Sequence, residues 1–319
     1  MSTSYVFRKF LSNPAEALRL RRVGTELKNY IVWRLYNSLA ESGYLSRLQE
    51  KPWWDFKDKD LARLVSDILV EEGLAKRTGD TIQVTSPPEK PVITTQDAAD
   101  IVQVVDRAML ALPQALETGA KPNLAEEKAA YAKLLGSLSF RLVLEATIEE
   151  GGLNKLSEKA VIADVYPRIG TSTITLLELT RAKIIVVEPY PDNIEILKRT
   201  IKLAGQEGRV TIIQSTPEEM SLPEKVDDVF MGNILHWTYN PRLALIRARE
   251  SLKPGGRVSI VQFTYSSTGL TMGLLHYFYG AVRPPPTPDE LRGIVEGAGF
   301  DIDIWRGSFG IVGIRGIPR

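Results

Sequence analysis

Several polar residues sit where short apolar runs end, which is where a sheet protein can expose chemistry. Asp164 lies near the close of Ala160–Val165, Glu188 ends Lys183–Glu188, and Asn233 and His236 follow Asp227–Gly232. A carboxylate at the end of a second parallel strand can accept two hydrogen bonds from ribose hydroxyls, and a solvated strand-end charge is the plain alternative for Glu188. A histidine just past a strand end and beside an aromatic, as His236 is beside Trp237, can serve as a general base near neutral pH. Packing or hydrogen bonding is the plain alternative there. Between Asp164 and the next helical stretch runs Tyr166-Pro167-Arg168-Ile169-Gly170. A phosphate- or nucleotide-type ligand needs a tight turn with little side chain in the way, and in this loop only Gly170 meets that demand. An ordinary strand-to-helix turn explains the loop equally well.

The elements that must position these residues follow from periodicity. After Gly151-Gly152, near-continuous apolar strands alternate with amphipathic helices: strands at Ala160–Val165, Lys183–Glu188, Val210–Ile213, Asp227–Gly232 and Arg257–Val261, helices at Asp192–Leu203, Pro241–Leu252 and Thr287–Ala298. That alternation predicts a parallel sheet covered on both faces. Asp192 and Glu195 have the spacing of a capping box. Ile302–Trp305 and Ile311–Ile314 read as a terminal antiparallel pair, and Gly299 closes the last helix. Phe263–Pro286, rich in Gly, Met and aromatic residues, suits either a lid or substrate wall over the strand ends for an apolar acceptor, or a helix packed on the linker helices or across a dimer.

The front of the chain is organised differently. Residues 1–25 form an arm in which Arg8, Lys9, Arg19, Arg21 and Arg22 interleave with Phe7, Phe10, Leu11, Leu18 and Leu20. Residues 26–91 read as helix, helix, hairpin: a stripe at Tyr30, Ile31, Trp33, Leu35 and Leu39, a second at Leu61, Leu64, Val65, Ile68 and Leu69 capped by Asp58 or Asp60, then a turn at Thr78-Gly79-Asp80. This pattern is winged-helix-like. A helix lying in a DNA groove should carry a basic footprint, whereas this one carries Asp58, Asp60, Asp67, Glu71 and Glu72, so the favoured reading is a folding and dimerisation module. Ser86-Pro87-Pro88-Glu89-Lys90-Pro91 is the clearest seam, and residues 92–150 form a helical linker with stretches at Thr95–Leu116 and Leu124–Glu149.

Composition removes whole classes of function. The chain has 319 residues, 40 Lys+Arg against 39 Asp+Glu, two histidines and no cysteine. Without cysteine there is no disulfide, thiolate metal site or cysteine nucleophile. Two histidines far apart in sequence give no basis for a metal centre. A net charge of +1 gives no bulk attraction to nucleic acid or anionic membrane. With no membrane span and no signal-peptide pattern, a cytoplasmic protein is expected.

From about residue 155 to 319, and more loosely over the whole chain, the sequence resembles class I S-adenosylmethionine-dependent methyltransferases, and specifically the small-molecule O-methyltransferases that begin with a winged helix. The resemblance rests on Glu188, on Asn233-Ile234-Leu235-His236-Trp237, on Leu252-Lys253-Pro254-Gly255-Gly256-Arg257-Val258, and on Thr287-Pro288-Asp289-Glu290-Leu291 through Ala298-Gly299-Phe300. It implies an α/β fold: a doubly wound, mostly parallel Rossmann-like methyltransferase sheet over residues 151–319. It implies S-adenosylmethionine as cofactor, held by Asp164, Gly170, Glu188, Ser215, Thr216 and Asn233, and a small apolar or aromatic acceptor deprotonated by His236. It also implies a homodimer through the N-terminal domain. The sequence departs from the family in four places. The glycine-rich loop survives only as Asp164 and Gly170, and no aspartate follows His236. Gln262 stands where such enzymes can hold a carboxylate, and Gln214-Ser215-Thr216 lacks the acid near the adenine, leaving Glu218 or Glu219 to substitute. These departures keep a second expectation open: a catalytically inactive, methyltransferase-like protein acting as a regulator or assembly module.

Overall fold

A computed structural model describes residues 14–120, 138–308 and 310–319. Contacts divide it into two compact units. Among the described residues, one joins 14–120 to 265–285, and the other holds 138–264, 286–308 and 310–319.

In the first unit, α1 (Pro14–Glu41), α2 (Tyr44–Glu50), α3 (Lys59–Glu71) and α4 (Gln96–Thr118) surround a two-stranded hairpin of β1 (Ala75–Thr78) and β2 (Thr81–Val84). The expected stripes face inward: Ile31, Leu35 and Leu39 of α1 and Leu61, Leu64, Ile68 and Leu69 of α3 are buried with Met109 and Leu112 of α4. Each such side chain contributes roughly 1.5–3 kcal/mol of apolar burial. Asp58 starts α3, its Oδ1 accepting from the Leu61 amide at 3.0 Å. Helix α1 runs straight through residue 25, where the arm was expected to end; the arm's Phe7, Arg8, Lys9, Phe10 and Leu11 lie outside the described residues, as does the start of the expected Leu124–Glu149 helix.

Residues 265–285 belong to this unit although they follow the sheet strands in sequence. Their helix, α9 (Ser267–Phe278), packs on α1, α3 and α4. The Tyr277 hydroxyl donates to Asp58 Oδ2, so one carboxylate caps α3 and anchors α9. Of the two expectations for this segment, the packed helix describes its place here.

The second unit opens with α5 (Leu138–Glu150). There follow β3 (Val161–Val165), α6 (Thr171–Leu179), β4 (Lys183–Val187), α7 (Pro191–Leu203), β5 (Val210–Ile213), β6 (Val226–Gly232), α8 (Pro241–Ser251), β7 (Leu252–Phe263), α10 (Pro288–Gly297), β8 (Phe300–Ser308) and β9 (Ile311–Pro318). The seven strands lie in the order β5-β4-β3-β6-β7-β9-β8. All pairs from β5 to β7 are parallel, while β9 is antiparallel to both β7 and β8. Buried Ile162, Ile184, Val186, Phe230 and Val261 pack with Leu144 and Ile148 of α5, Leu176 of α6 and Leu197 of α7. This is the expected doubly wound sheet, and the strand order reverses between β3 and β6, where such sheets open a crevice.

One helix start differs from expectation. Asp192 and Glu195 do not form a capping box: the N-cap of α7 is Tyr190, without a side-chain cap, and Pro191 is at the first helical position. Proline is pre-organised for that position, so the helix begins two residues too early for Asp192 to cap it. Glu195 pairs with Lys198 instead.

Candidate cofactor crevice and catalytic histidine

Asp164 is fully buried near the end of β3. Its carboxylate accepts from the Ser172 hydroxyl at 3.0 and 2.9 Å and from the Thr173 hydroxyl at 2.6 Å, tying the strand to the first turn of α6. Burial pushes its pKa up from 3.8 to about 7, against the pull of those hydroxyls. Gly170 precedes α6 with φ 95°, and a Cβ there would lie 2.6 Å from Leu197 Cδ2. Both backbone shape and space therefore demand glycine at this one surviving position.

The rest of the β3 loop keeps a glycine-type backbone without glycines. Tyr166 and Arg168 have φ 56° and 58°, in the left-handed region that bulky residues avoid. Their side chains are only 6% and 7% exposed. The Tyr166 ring stands 6.0 Å from that of Tyr190 beyond β4 and 6.5 Å from that of Trp237 beyond β6. The Arg168 guanidinium lies over the Trp237 ring at 4.1 Å, a cation–π stack spanning the switch point from the β3 loop to the β6 loop. Among the described residues, Arg168 Nη1 has no hydrogen-bond partner although it is buried.

Glu188 follows β4 and is fully buried. Its Oε2 accepts from the Arg168 amide at 2.9 Å, and its Oε1 from the Tyr190 amide at 3.2 Å and Asn193 Nδ2 at 2.8 Å. With Asp192 not capping α7, Glu188 itself holds the entry to that helix and pins the β3 loop. Burial raises its pKa from 4.5 to about 7, with those hydrogen bonds and the nearby Arg168 cation pulling the other way.

Beyond β6, Asn233 has φ 61°. Its Oδ1 accepts from the Phe263 amide at 3.0 Å, while its buried Nδ2 has no hydrogen-bond partner among the described residues. His236 is fully buried, and its Nδ1 lies 2.9 Å from Gln262 Nε2 near the end of β7. Ser215 and Thr216, half-buried beyond β5, are held locally: the Ser215 hydroxyl donates to the Thr216 carbonyl at 3.2 Å and the Thr216 hydroxyl to Glu219 at 3.1 Å. Glu218 accepts from the Asn240 amide at 3.0 Å.

The structure thus brings Asp164, Gly170, Glu188, Asn233 and His236 to one edge of the sheet. Sequence reasoning missed the Arg168–Trp237 stack and Asn193 as a partner of Glu188. Ser172 and Thr173, hydroxyls in the helical turn facing a strand-end acid, were a readable signal. Among the described residues, no group of three or more His, Cys, Asp or Glu is placed to hold a metal ion. No helix among them is long and apolar enough to cross a membrane.

Comparison with known proteins agrees with this geometry. Residues 168–260 match the family described as a methyltransferase domain. No curated protein matches the chain. Among solved structures, the chain is similar to the C-methyltransferase domain of the citrinin polyketide synthase, with TM-score 0.70, 12% identity, and 98% of this chain and 94% of that one covered. It is similar to an O-methyltransferase family 2 protein from Planctomyces limnophilus in complex with apigenin, with TM-score 0.64, 17% identity, and 93% and 95% covered. It is also similar to NcsB1, an O-methyltransferase of neocarzinostatin biosynthesis solved with S-adenosylmethionine and a naphthoic acid, with TM-score 0.52, 14% identity, and 93% and 96% covered. The match over residues 168–260 is to a methyltransferase domain, and the solved neighbours share the fold of the sheet unit; the cofactor that NcsB1 holds is S-adenosylmethionine.

The donor set suits that cofactor's nucleoside. Glu188 Oε2 retains accepting capacity beyond its single amide, as a ribose hydroxyl requires, and Asn233 Nδ2 is an unused donor among the described residues. Space is the constraint: the Tyr166 and Arg168 side chains are buried against Tyr190 and Trp237, between the β3 and β6 loops where a nucleoside would have to lodge.

Proposed function

We propose that the protein transfers a methyl group from S-adenosylmethionine to a small apolar or aromatic acceptor, at oxygen. The observation that carries this reading is the presence of Glu188 beyond β4 and His236 beyond β6, on either side of β3 at one sheet edge. The O-methyltransferases solved with apigenin and with a naphthoic acid support an aromatic acceptor by analogy. Bound at this edge, the cofactor would supply a methyl group activated by sulfonium charge. Glu188 would hold its ribose, Gly170 would let the backbone turn close to its amino-acid end, and Asn233 would donate from the β6 side. His236 is assigned to the acceptor's reacting oxygen, where a neutral imidazole acts as a base only if one ring nitrogen is free to take the proton.

We further propose that the first unit, a helix pair followed by a hairpin, is a winged-helix-like module that pairs two copies in the cytoplasm. Light scattering on the full chain should give twice the monomer mass, and a monomer would remove this part. A second reading, the inactive regulator, is favoured by one observation: Tyr166 and Arg168 are buried where a nucleoside would have to lodge. Calorimetry with S-adenosylhomocysteine separates the two. Measurable binding is expected, and a silent titration at millimolar ligand removes the enzymatic reading.

A further inference from the structure

The site is built to make His236 a hydrogen-bond donor. Four contacts of Gln262 fix which end of its amide is which. Its Oε1 accepts from the Leu235 amide at 3.1 Å. Its Nε2 donates to the Phe263 carbonyl at 3.0 Å and lies 3.3 Å from Asn233 Oδ1 and 2.9 Å from His236 Nδ1. Turning the amide over would set its NH2 against the Leu235 N–H and its oxygen against the Phe263 carbonyl. Asn233 offers no escape, because its Oδ1 is itself fixed as an acceptor by the Phe263 amide at 3.0 Å. All of these side chains are fully buried, so water cannot repair a mismatched pair. The group facing Nδ1 is therefore an amide NH2, which cannot accept; its two hydrogens are shared among the Phe263 carbonyl, Asn233 Oδ1 and Nδ1, and the 2.9 Å contact is favourable only with Nδ1 unprotonated. Protonating it would place two donors face to face.

We propose that Gln262 locks His236 in the neutral tautomer whose proton is on Nε2, so that the imidazole donates a hydrogen bond to the acceptor and takes no proton from it. A carboxylate in place of Gln262 would do the reverse, accepting from Nδ1–H and leaving Nε2 to act as base. The acceptor that fits this polarity arrives already ionised: a carboxylate or a strongly acidic phenol or enol. An anionic oxygen uses a lone pair to bond the methyl carbon while the carbon–sulfur bond breaks, its electrons remaining on sulfur. The anion and the sulfonium both become neutral, and no proton needs a destination. Gln262 is in this scheme a positioning residue, acting through the imidazole. The acceptor class rests on the methyl-transfer reading above, whereas the tautomer does not.

The chain has only two histidines, so nitrogen NMR of the full-length protein labelled with 15N-histidine resolves each ring. His236 is expected to show an unprotonated Nδ1 and a protonated Nε2 near neutral pH. His276→Gln assigns the signals, and should that variant not fold, Gln262→Glu identifies His236 as the ring whose pattern reverses. A wild-type His236 with its proton on Nδ1, or doubly protonated, overturns the proposal. In turnover assays, Gln262→Glu is expected to raise methylation of a weakly acidic phenol relative to a carboxylate by at least about tenfold, the low end of what a positioned base contributes. Equal wild-type turnover of both acceptors, with no gain in the variant, overturns the acceptor class. Absence of cofactor binding would remove the methyl-transfer reading by itself, and the nitrogen spectrum would still decide the tautomer.

Discussion

The loops after β3 and β6 meet across one crevice and are altered in opposite ways. The β3 loop has the backbone of a glycine-rich turn at Tyr166, Arg168 and Gly170, yet two of the three positions carry bulk that closes the space the turn exists to provide. The β6 loop carries the histidine proposed to meet the acceptor, His236, yet its neighbour Gln262 presents an amide NH2 where a carboxylate would accept. In one loop the shape is kept and the room is lost; in the other the residue is kept and the proton polarity is reversed. Backbone geometry, side-chain identity and hydrogen-bond direction are separate variables, and a motif reports only the second.

The sharpest way to break this contrast is to remove the group that serves the β3 side. Glu188→Ala strands three N–H donors in a buried site. It should weaken S-adenosylhomocysteine binding by about a hundredfold in calorimetry, each tenfold corresponding to ~1.4 kcal/mol; unchanged affinity would reduce Glu188 to a loop anchor. Gly170→Ala should lower stability by about 1–3 kcal/mol in a denaturant titration, since it strains a left-handed residue and drives a methyl into Leu197. A wild-type midpoint there would mean that the turn tolerates bulk everywhere. Arg168→Gly restores room without changing the expected φ, and should tighten S-adenosylhomocysteine binding about tenfold while altering Trp237 fluorescence. Weaker binding in that variant would make Arg168 a ligand of the cofactor and not an obstacle to it.

The smallest effect is on pH. Asp164 and Glu188 titrate at about 7 in the folded chain against ordinary values of 3.8 and 4.5. The folded state therefore binds protons more tightly than the unfolded one. The stabilisation this gives is complete below about pH 4 and is lost as pH rises through about 7. The thermal midpoint should fall between about pH 5 and pH 8, and Asp164→Asn should flatten that slope. A midpoint that rises over this interval would show that neither carboxylate is desolvated as described.

The architecture was legible in the sequence because burial on both faces leaves continuous apolar runs. Val161–Val165 and Lys183–Val187 were placed within a residue at each end, and Asp58 was one of two candidate caps of its helix. Local spacing misled at Asp192, where Pro191 moved the helix start and passed the capping duty to Glu188. The site was legible only as a set of residue types. Nothing in the order Tyr166-Pro167-Arg168 reveals that a guanidinium will lie on Trp237, because the stack exists only once β3 and β6 are neighbours. The direction of the Gln262 amide was equally hidden, since it is set by Leu235 and Phe263 from two different strand ends.

The bond from Tyr277 to Asp58 also bears on how the molecule comes into being. A ribosome delivers α1 through α4 early, yet the helix that covers them emerges only after five strands of the sheet have been made. The leading unit must wait, partly bare, for a piece encoded more than two hundred residues downstream, so a fragment ending at residue 120 should be sticky and poorly soluble where the whole chain is not.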